Sequence, residues 1–351
     1  MALTPEGVKT LVGQGHEVIV ETGAGLLSGI ADEAYQNAGA QVVASAKEAF
    51  VAELIVKVKE PQDFELDYFQ EGQILFTFLH LAANHALAHA LLQKKTVAIA
   101  YEMIQNEAGQ FPILIPMSAI AGRVAAIAGA YFLASSHNGQ GVLLGGLPGV
   151  SEGEVVILGA GHVGSMAAET SLGLGALVHM LDIQEAPLAR LAFRFGAQLR
   201  THFFAEERLE KLLGRASLVI SSVLLPGRHA PKIITRQHLR LMPKGSVFAD
   251  VAIDQGGSAE TSRPTTHENP TYHEEGVVHY CVANMPAAYP ATATRALTHA
   301  TLPYVGLLAK GKAALSTNRF LAGGTVLCHG KVTHPTLAEE LGIHYTPLSE
   351  A

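Results

Sequence analysis

Tryptophan is absent from the 351-residue sequence, and cysteine occurs only twice, at Cys281 and Cys328. Two cysteines cannot form the disulfide framework that is typical of small secreted proteins, so a reducing compartment such as the cytoplasm is the simpler interpretation. We expect each cysteine to be a buried small side chain rather than a nucleophile. The first residues also lack the basic start and the apolar core of a signal peptide.

Charged residues make up only 16% of the chain, and a net charge of −7 provides no basic surface for nucleic acid. The longest apolar stretch, 117–134, contains Arg123 and many small residues and falls short of a convincing membrane span. We therefore expect a soluble, cytoplasmic protein with neither a nucleic-acid nor a membrane partner. A length of 351 residues exceeds what one hydrophobic core comfortably holds, which indicates two domains.

Strand-like and helix-like segments alternate from residue 17 onward. This repeated order predicts parallel, doubly wound sheets. Ser45, Asn84 and Thr235 are predicted to cap helices. Pro112 and Pro116 mark a break in the pattern, and Ser118 is predicted to cap a long linking helix that runs from Ala119 to about Ala134.

Three reactive residues stand where predicted apolar strands end. Lys59 follows the strand 53–58, His80 follows 74–79, and Asp254 follows 246–253. Ligands of open α/β sheets bind outside the carboxyl ends of the strands, so these side chains are expected to converge on one crevice. Considered singly, each has a more common structural interpretation: a surface lysine, a hydrogen-bonded core histidine and a turn aspartate. Histidines change charge near neutral pH, which makes His80 the candidate proton carrier.

A glycine fingerprint follows the apolar strand 155–158 and precedes a helical segment. Gly159 allows a tight turn, Gly161 lets the backbone approach a pyrophosphate, and Gly164 lets the helix pack against the strand. The alternative is a glycine turn that only packs a helix onto a sheet. The strand–turn–helix context favours dinucleotide binding.

Asp182 ends the next predicted strand, at the distance from the glycines where a carboxylate binds the ribose hydroxyls. Ile183 and Gln184 follow, so no adjacent arginine is present to neutralise a 2′-phosphate. The sequence therefore predicts NAD rather than NADP as the cofactor.

The predicted fold class is α/β, with two doubly wound domains, the second a Rossmann dinucleotide-binding domain inserted into the first. We assign residues 1–115 and 292–351 to a discontinuous substrate and catalytic domain, and 116–291, including the linking helix, to the NAD-binding domain. Periodicity alone does not show that the last segments return to the first domain. No metal site is predicted, because the spacings among His267, His273 and His279 match no zinc motif.

Several longer runs match one enzyme family in the correct order over nearly the whole chain. They are 57–61, 76–83, 116–118, 121–123, 146–150, 225–227, 250–257 and 282–286. Through these runs the sequence closely resembles the alanine dehydrogenases. That family also contains the NAD-binding subunit of proton-translocating transhydrogenase.

The resemblance implies reversible, NAD-dependent oxidative deamination of L-alanine to pyruvate and ammonium by a homo-hexamer. It implies that Lys59 binds the substrate, that His80 binds it and acts as acid and base, and that Asp254 positions water, ammonia and the nicotinamide. The remaining residues that it places on the cofactor are Ser118, Val163, Asp182, Val223, Val251, Asn284 and Met285.

The sequence departs from the family pattern at its start. The family begins with a strand and a loop of some fifteen residues and an arginine that forms part of the carboxylate site, and Met1 stands just after the position of that arginine. An upstream start codon or a genuinely shorter chain would each account for this. We expect this form to bind NAD but to need more alanine or to be inactive. An NAD-binding subunit without catalysis, similar to that of transhydrogenase, is the alternative function, and the presence of both Lys59 and His80 argues against it.

Overall fold

The computed structural model describes residues 1–223 and 229–351. Within them the strands are β1 (Ile19–Glu21), β2 (Gln41–Val43), β3 (Leu54–Val56), β4 (Ile74–Thr77), β5 (Val97–Ala100), β6 (Glu154–Leu158), β7 (Leu177–Asp182), β8 (Leu199–Phe203), β9 (Ala216–Ser221), β10 (Val247–Asp250), β11 (Thr271–Glu274), β12 (Val277–Tyr280), β13 (Thr325–Cys328) and β14 (Lys331–Val332).

The α-helices in the same residues are α1 (Pro5–Gly13), α2 (Asp32–Asn37), α3 (Ala46–Ala49), α4 (His85–Gln93), α5 (Leu114–Phe132), α6 (His162–Gly173), α7 (Glu185–Phe195), α8 (Glu206–Leu213), α9 (Arg236–Leu241), α10 (Pro290–Leu308), α11 (Ala313–Thr317), α12 (Arg319–Gly324) and α13 (Pro335–Leu341). Short 3-10 turns join several of these elements, and the turn Val251–Gln255 follows β10 directly.

The chain forms two compact units. Among the described residues, unit 1 contains Met1–Met117 and Tyr289–Ala351, and unit 2 contains 118–223 and His229–Ala288. Unit 1 is therefore built from two separate stretches of the sequence, and unit 2 is formed by the residues between them.

Unit 2 is built on a seven-stranded sheet with the order β11-β12-β10-β9-β6-β7-β8. All neighbouring strands pair in parallel except β11, which pairs antiparallel with β12. Consecutive residues of β6 pack into two different cores: Val155 and Ile157 into one, Val156 and Leu158 into the other. Because successive side chains of a strand point to opposite faces, both faces of the sheet are buried, as a doubly wound fold requires.

Unit 1 contains a five-stranded sheet with the order β14-β13-β5-β4-β3 and a separate pair, β1-β2. The strands β3, β4 and β5 pair in parallel, whereas β13 and β14 are antiparallel. Here too the two faces are covered, because Ile74 and Phe76 pack into one core and Leu75 into another. The predicted fold class of two doubly wound α/β units is confirmed.

The long helix α5 begins at Leu114, so the prediction that Ser118 caps a helix starting at Ala119 is wrong. Pro116, predicted to lie in a break, lies in the first turn of this helix. The first backbone N–H groups of a helix have no helical partner, so proline is tolerated there. The predicted caps Ser45, Asn84 and Thr235 are confirmed, since each side chain accepts a backbone N–H of the helix that follows it.

Small residues bring α5 close to its neighbours in unit 2. A Cβ atom at Gly122 would lie 2.2 Å from the carbonyl oxygen of Val163 in α6, and one at Gly129 would lie 2.5 Å from Leu218 in β9. By length and composition alone α5 could cross a membrane. About a third of its apolar window is buried in the protein, and its two glycines lie in the contacts with α6 and β9.

Both cysteines are free and buried, as predicted. Burial raises the pKa of the Cys281 thiol to about 12 and also raises the pKa of the Cys328 thiol. Because the thiolate is the reactive form of cysteine, neither side chain is a nucleophile at neutral pH.

Candidate functional site

Lys59 and His80 follow β3 and β4, which are neighbouring parallel strands of unit 1. Both strands end two residues earlier than predicted, at Val56 and Thr77. The hydroxyl of Thr77 donates to the Lys59 carbonyl oxygen at 3.0 Å and ties the two strand ends together. The Lys59 side chain is 36% exposed, and its Nζ lies 3.7 Å from a carboxylate oxygen of Glu60. The structure thus places the predicted lysine and histidine along one edge of this sheet.

A buried carboxylate fixes the backbone of His80. The φ angle of His80 is +46°, a left-handed conformation that is uncommon for residues other than glycine. Oε1 of Glu102 accepts the His80 N–H at 2.7 Å and the Leu79 N–H at 3.2 Å. The same oxygen lies 4.0 Å from Nδ1 of the imidazole. The ring stacks parallel to that of Phe78, with 5.8 Å between the ring centroids.

Glu102 was not among the predicted site residues. It is 9% exposed and stands two residues after β5, the parallel strand next to β4. The criterion that selected Lys59 and His80, a reactive residue just beyond an apolar strand, also applies to Glu102. A lysine, a histidine and a glutamate therefore stand two or three residues beyond the ends of three neighbouring strands.

In unit 2 the glycine loop occupies the point where the strand order reverses. After β6 the chain continues to β7 on one side, while β9 lies on the other side. In open α/β sheets the crevice at this position, outside the carboxyl ends of the strands, is where ligands bind.

Each glycine of the fingerprint has a distinct environment. Gly159 has a φ of +103°, and Gly164 packs so tightly that a Cβ atom would lie 1.9 Å from the Gly159 carbonyl oxygen. A Cβ atom at Gly161 would meet nothing within 4 Å. The turn and the helix packing thus require glycine at the first and third positions. The second faces open space at the amino end of α6, where backbone N–H groups favour an anion.

Asp182 is the last residue of β7 and contacts the glycine loop directly. Its Oδ2 accepts the Ala160 N–H at 2.6 Å, and its Oδ1 accepts the Gln184 N–H at 2.8 Å. Ile183 beside it is 71% exposed. Burial, with a smaller contribution from Arg190, lowers the pKa of His162 at the start of α6. The loop therefore carries no additional positive side-chain charge from this histidine at neutral pH.

Asp254 does not directly follow a strand, so the predicted strand 246–253 needs correction. β10 ends at Asp250, and Asp254 lies in the 3-10 turn Val251–Gln255. Its exposed carboxylate accepts the backbone N–H of Asn284 at 3.2 Å through either oxygen. Asn284 has a φ of +54°. The two residues, far apart in sequence, are joined at the carboxyl edge of unit 2.

A second aspartate explains why the strand ends early. Asp250 is fully buried, and its Oδ1 accepts the Ala252 N–H at 3.1 Å, which closes the turn. Its Oδ2 accepts the Ser258 N–H at 2.7 Å and the Ser262 hydroxyl at 2.5 Å. These hydrogen bonds hold the loop that carries Asp254. Like Glu102, Asp250 is a positioning residue that was not predicted as part of the site.

The remaining predicted cofactor residues all lie in unit 2. Ser118 and Val251 are partly buried, as is Val223 just beyond β9, while Val163 and Met285 are buried. The predicted motif 225–227 lies outside the described residues. Within 1–223 and 229–351, no group of three or more His, Cys, Asp or Glu side chains is arranged to hold a metal ion.

Two family models match the chain. The model "Alanine dehydrogenase/PNT, N-terminal domain" matches residues 1–121, and the model "Alanine dehydrogenase/PNT, C-terminal domain" matches residues 125–335. Together they cover most of the sequence.

Curated relatives and solved structures agree with these matches. The chain is 47% identical to alanine dehydrogenase of Bacillus subtilis and covers 93% of it, and it is 48% identical to alanine dehydrogenase of Methanococcus maripaludis and covers 95%. All of the chain aligns in both comparisons.

A solved L-alanine dehydrogenase structure, 46% identical, superposes with a TM-score of 0.92 over 97% of this chain and 95% of the other. A transhydrogenase from Sinorhizobium meliloti, 26% identical, gives 0.80 over 95% of each chain. As the sequence motifs predicted, the chain belongs to the alanine dehydrogenase family.

Proposed function

We propose that this chain catalyses the reversible NAD-dependent oxidative deamination of L-alanine to pyruvate and ammonium. The observation that carries the proposal is the pair Lys59 and His80 at one sheet edge, in a family member with a complete glycine fingerprint. The lysine can bind the carboxylate of an amino-acid substrate. The histidine can carry the protons that are needed when the amine is replaced by a carbonyl.

The residues of unit 2 fit a dinucleotide. Open space at Gly161 and the amino end of α6 accommodate a pyrophosphate, and Asp182 is placed to accept the ribose hydroxyls. A dinucleotide held by these residues would supply the acceptor for the hydride of the alanine α-carbon. Ser118, Val163, Val223, Val251, Asn284 and Met285 complete the proposed cofactor contacts.

In the proposed mechanism Lys59 binds the substrate carboxylate and its carbonyl side. His80 accepts a proton from the water that adds to the iminium carbon, and returns a proton to the departing amine, so that pyruvate and ammonium leave. Asp254 positions that water and the nicotinamide end. Glu102 holds His80 in place through its backbone N–H.

The test is NADH formation from L-alanine by the purified chain and by a His80→Asn variant. Asparagine tolerates the left-handed conformation, so the substitution removes the imidazole without adding backbone strain. We expect turnover to fall at least about a hundredfold, the scale of a lost general acid and base. The control is His89→Ala, since His89 is an exposed histidine of α4.

Retained turnover in His80→Asn would contradict the proposed role of the histidine. NAD binding without turnover that persists after an upstream segment is restored would instead support the alternative, an NAD-binding subunit. The lower identity to the transhydrogenase, 26% against 46% for the dehydrogenase structure, argues for the enzyme.

The proposed cofactor is NAD rather than NADP. The Asp182 carboxylate would repel a 2′-phosphate, and the neighbouring Ile183 and Gln184 offer it no cation. Asp182→Asn removes the charge but keeps an oxygen that can accept the Ala160 N–H. We expect the ratio of NAD to NADP affinity to fall by about tenfold or more, measured by titration. An unchanged ratio would show that Asp182 does not select the cofactor.

The proposal extends to a cytoplasmic homo-hexamer, as the family resemblance implies. Light scattering on the purified chain, whose mass is 37.0 kDa, tests the assembly. A mass six times that of one chain is expected, and a monomer or dimer would contradict it.

A further inference from the structure

Asn284, one of the proposed cofactor contacts, has a left-handed backbone conformation with a φ angle of +54°. Asparagine tolerates this conformation better than most residues, yet it persists only where the surrounding structure holds it. The residue stands between the buried strand β12 and the 3-10 turn Met285–Ala288. The groups that hold Asn284 therefore also set the start of the turn that carries Met285.

Hydrogen bonds hold Asn284 on both sides. The Asp254 carboxylate accepts its N–H at 3.2 Å. Its carbonyl oxygen has two partners: the Ala287 N–H at 2.9 Å, which closes the turn, and Nε2 of His267 at 3.2 Å. Because a carbonyl oxygen only accepts hydrogen bonds, this nitrogen carries the proton, as it does in the charged ring and in one neutral tautomer.

The loop that carries His267 is fastened to the chain just before Asn284. Thr265 pairs in parallel with Val282, and its N–H and carbonyl bond to the residues on either side of Val282 at 2.9 and 3.2 Å. The Thr265 hydroxyl donates to the Pro270 carbonyl at 3.0 Å and closes the loop at its other end. His267 is thus held two residues from an anchored position.

His267 contributes little to the core of unit 2, because its side chain is exposed. Among the described residues, the hydrogen-bond partner of its ring is the Asn284 carbonyl. An exposed side chain can be replaced without leaving a cavity. Loss of the imidazole therefore removes the contact with Asn284 and leaves the core intact.

We propose that His267 is a positioning residue for the nicotinamide end of the cofactor. It holds the carbonyl of Asn284 while Asp254 holds the N–H, so that Asn284 and Met285 meet the nicotinamide in a fixed arrangement. The inference rests on the proposed use of NAD. The glycine fingerprint and Asp182 are proposed to bind the pyrophosphate and the adenosine ribose, so His267 acts on the nicotinamide part alone.

Titrations with NAD and with ADP-ribose, which lacks the nicotinamide, isolate this effect. His267→Leu removes the donor and keeps a side chain of similar size. His267→Gln keeps a side-chain N–H that can donate to the same carbonyl. The matched control is His273→Leu, since His273 is an exposed histidine of β11 in the same unit.

We expect His267→Leu to raise the Kd of NAD by roughly three- to tenfold, the scale of one lost hydrogen bond, and to leave the Kd of ADP-ribose unchanged. His267→Gln and His273→Leu should bind both ligands as the unmodified chain does. Equal weakening of the two ligands in His267→Leu, or an unchanged Kd of NAD, would overturn the proposal. So would a loss in His267→Gln as large as that in His267→Leu.

Hydrogen exchange tests the contact itself in the chain without cofactor. In His267→Leu, amide exchange in the segment 282–288 should be faster by about twofold or more, whereas exchange in β7 should not change. Unchanged exchange in 282–288 would show that the histidine does not hold Asn284. Faster exchange throughout unit 2 would show a general loss of structure. Either result contradicts the proposal.

Turnover separates this inference from the proposed dehydrogenase activity. In an active chain we expect His267→Leu to lower kcat more than it raises the KM for alanine, because a misplaced nicotinamide slows hydride transfer. A chain without turnover that shows the loss of affinity for NAD alone supports the role of His267 and contradicts the dehydrogenase function. Turnover with an unchanged kcat in His267→Leu overturns the role of His267 and leaves the dehydrogenase function in place.

Discussion

At the scale of single residues, Glu102 is the side chain that connects the fold to the proposed chemistry. It accepts the His80 N–H at 2.7 Å and lies 4.0 Å from the imidazole. Glu102→Gln keeps an oxygen for the backbone but removes the charge. We expect the rate constant kcat to fall by about tenfold, because the backbone N–H of His80 loses its charged acceptor and the imidazole is held less firmly.

The comparison of kcat with KM and with thermal stability separates positioning from a merely structural role. The control is Glu107→Gln, since Glu107 is an exposed carboxylate that pairs with Arg319 at 2.9 Å. A Glu102→Gln variant that loses thermal stability but keeps an unchanged kcat would show that the carboxylate only supports the fold.

At the site, the sequence predicts residues whose chemistry is visible in their own side chains. Lys59 and His80 were found because they follow apolar runs, and the structure places both at one sheet edge. Glu102 and Asp250 were missed because their role is to accept backbone N–H groups of other segments. Both residues do stand at the end of an apolar strand or just beyond it, but which backbone N–H groups they accept is set by tertiary structure and not by spacing.

At the scale of elements, helix α6 tests the assignment of the glycine fingerprint, because it contains two glycines in opposite situations. A Cβ atom at Gly164 would lie 1.9 Å from the Gly159 carbonyl oxygen, whereas one at Gly173 would meet nothing within 4 Å. Gly164→Ala should therefore destabilise the chain by about 1–3 kcal/mol and weaken NAD binding. Gly173→Ala should be neutral or stabilising by up to about 1 kcal/mol, since alanine favours the helix.

The measurements are denaturant unfolding monitored by circular dichroism and NAD titration of both variants. Equal effects of the two substitutions would mean that the helix does not pack against the loop as the structure shows. If Gly164→Ala loses stability but keeps its NAD affinity, the glycine fingerprint is not part of the cofactor site.

Element boundaries were less predictable than element types. The repeated order of strands and helices follows from apolar runs and helix caps, and the structure confirms the α/β fold class with parallel strands in both sheets. The start of α5 was misplaced because proline is allowed in a first turn, and the end of β10 because Asp250 closes a turn inside an apolar run. The antiparallel strands β11, β13 and β14 have no distinct sequence signal, since strand direction depends on the pairing partner.

At the scale of the whole molecule, histidine burial should control stability in acid. The His179 side chain in β7 is 2% exposed, and its Nδ1 lies 3.0 Å from Nε2 of His202. Burial, the neighbouring His202 and Arg215 lower the pKa of His179 to about 4, although a Glu154 oxygen lies 3.3 Å from its Nε2. Burial lowers the pKa of His162, His202, His279 and His334 as well.

These shifts give the pH dependence a definite sign. Each ring is neutral in the folded chain, whereas the unfolded chain takes up protons as the pH falls through the ordinary histidine pKa of about 6.5. The unfolded state then binds more protons, so stability must fall from about pH 6.5 towards the folded pKa of about 4. We expect the thermal midpoint of the full chain to decrease over this interval.

The variant His179→Asn keeps a polar side chain beside His202. We expect it to have a lower thermal midpoint at pH 7 than the unmodified chain. Its stability should fall less steeply with decreasing pH, because unfolding takes up roughly one proton fewer. His273→Asn is the control, because His273 is exposed on β11, and its slope should match that of the unmodified chain. An equally steep decrease in His179→Asn would show that this histidine is not buried in its neutral form.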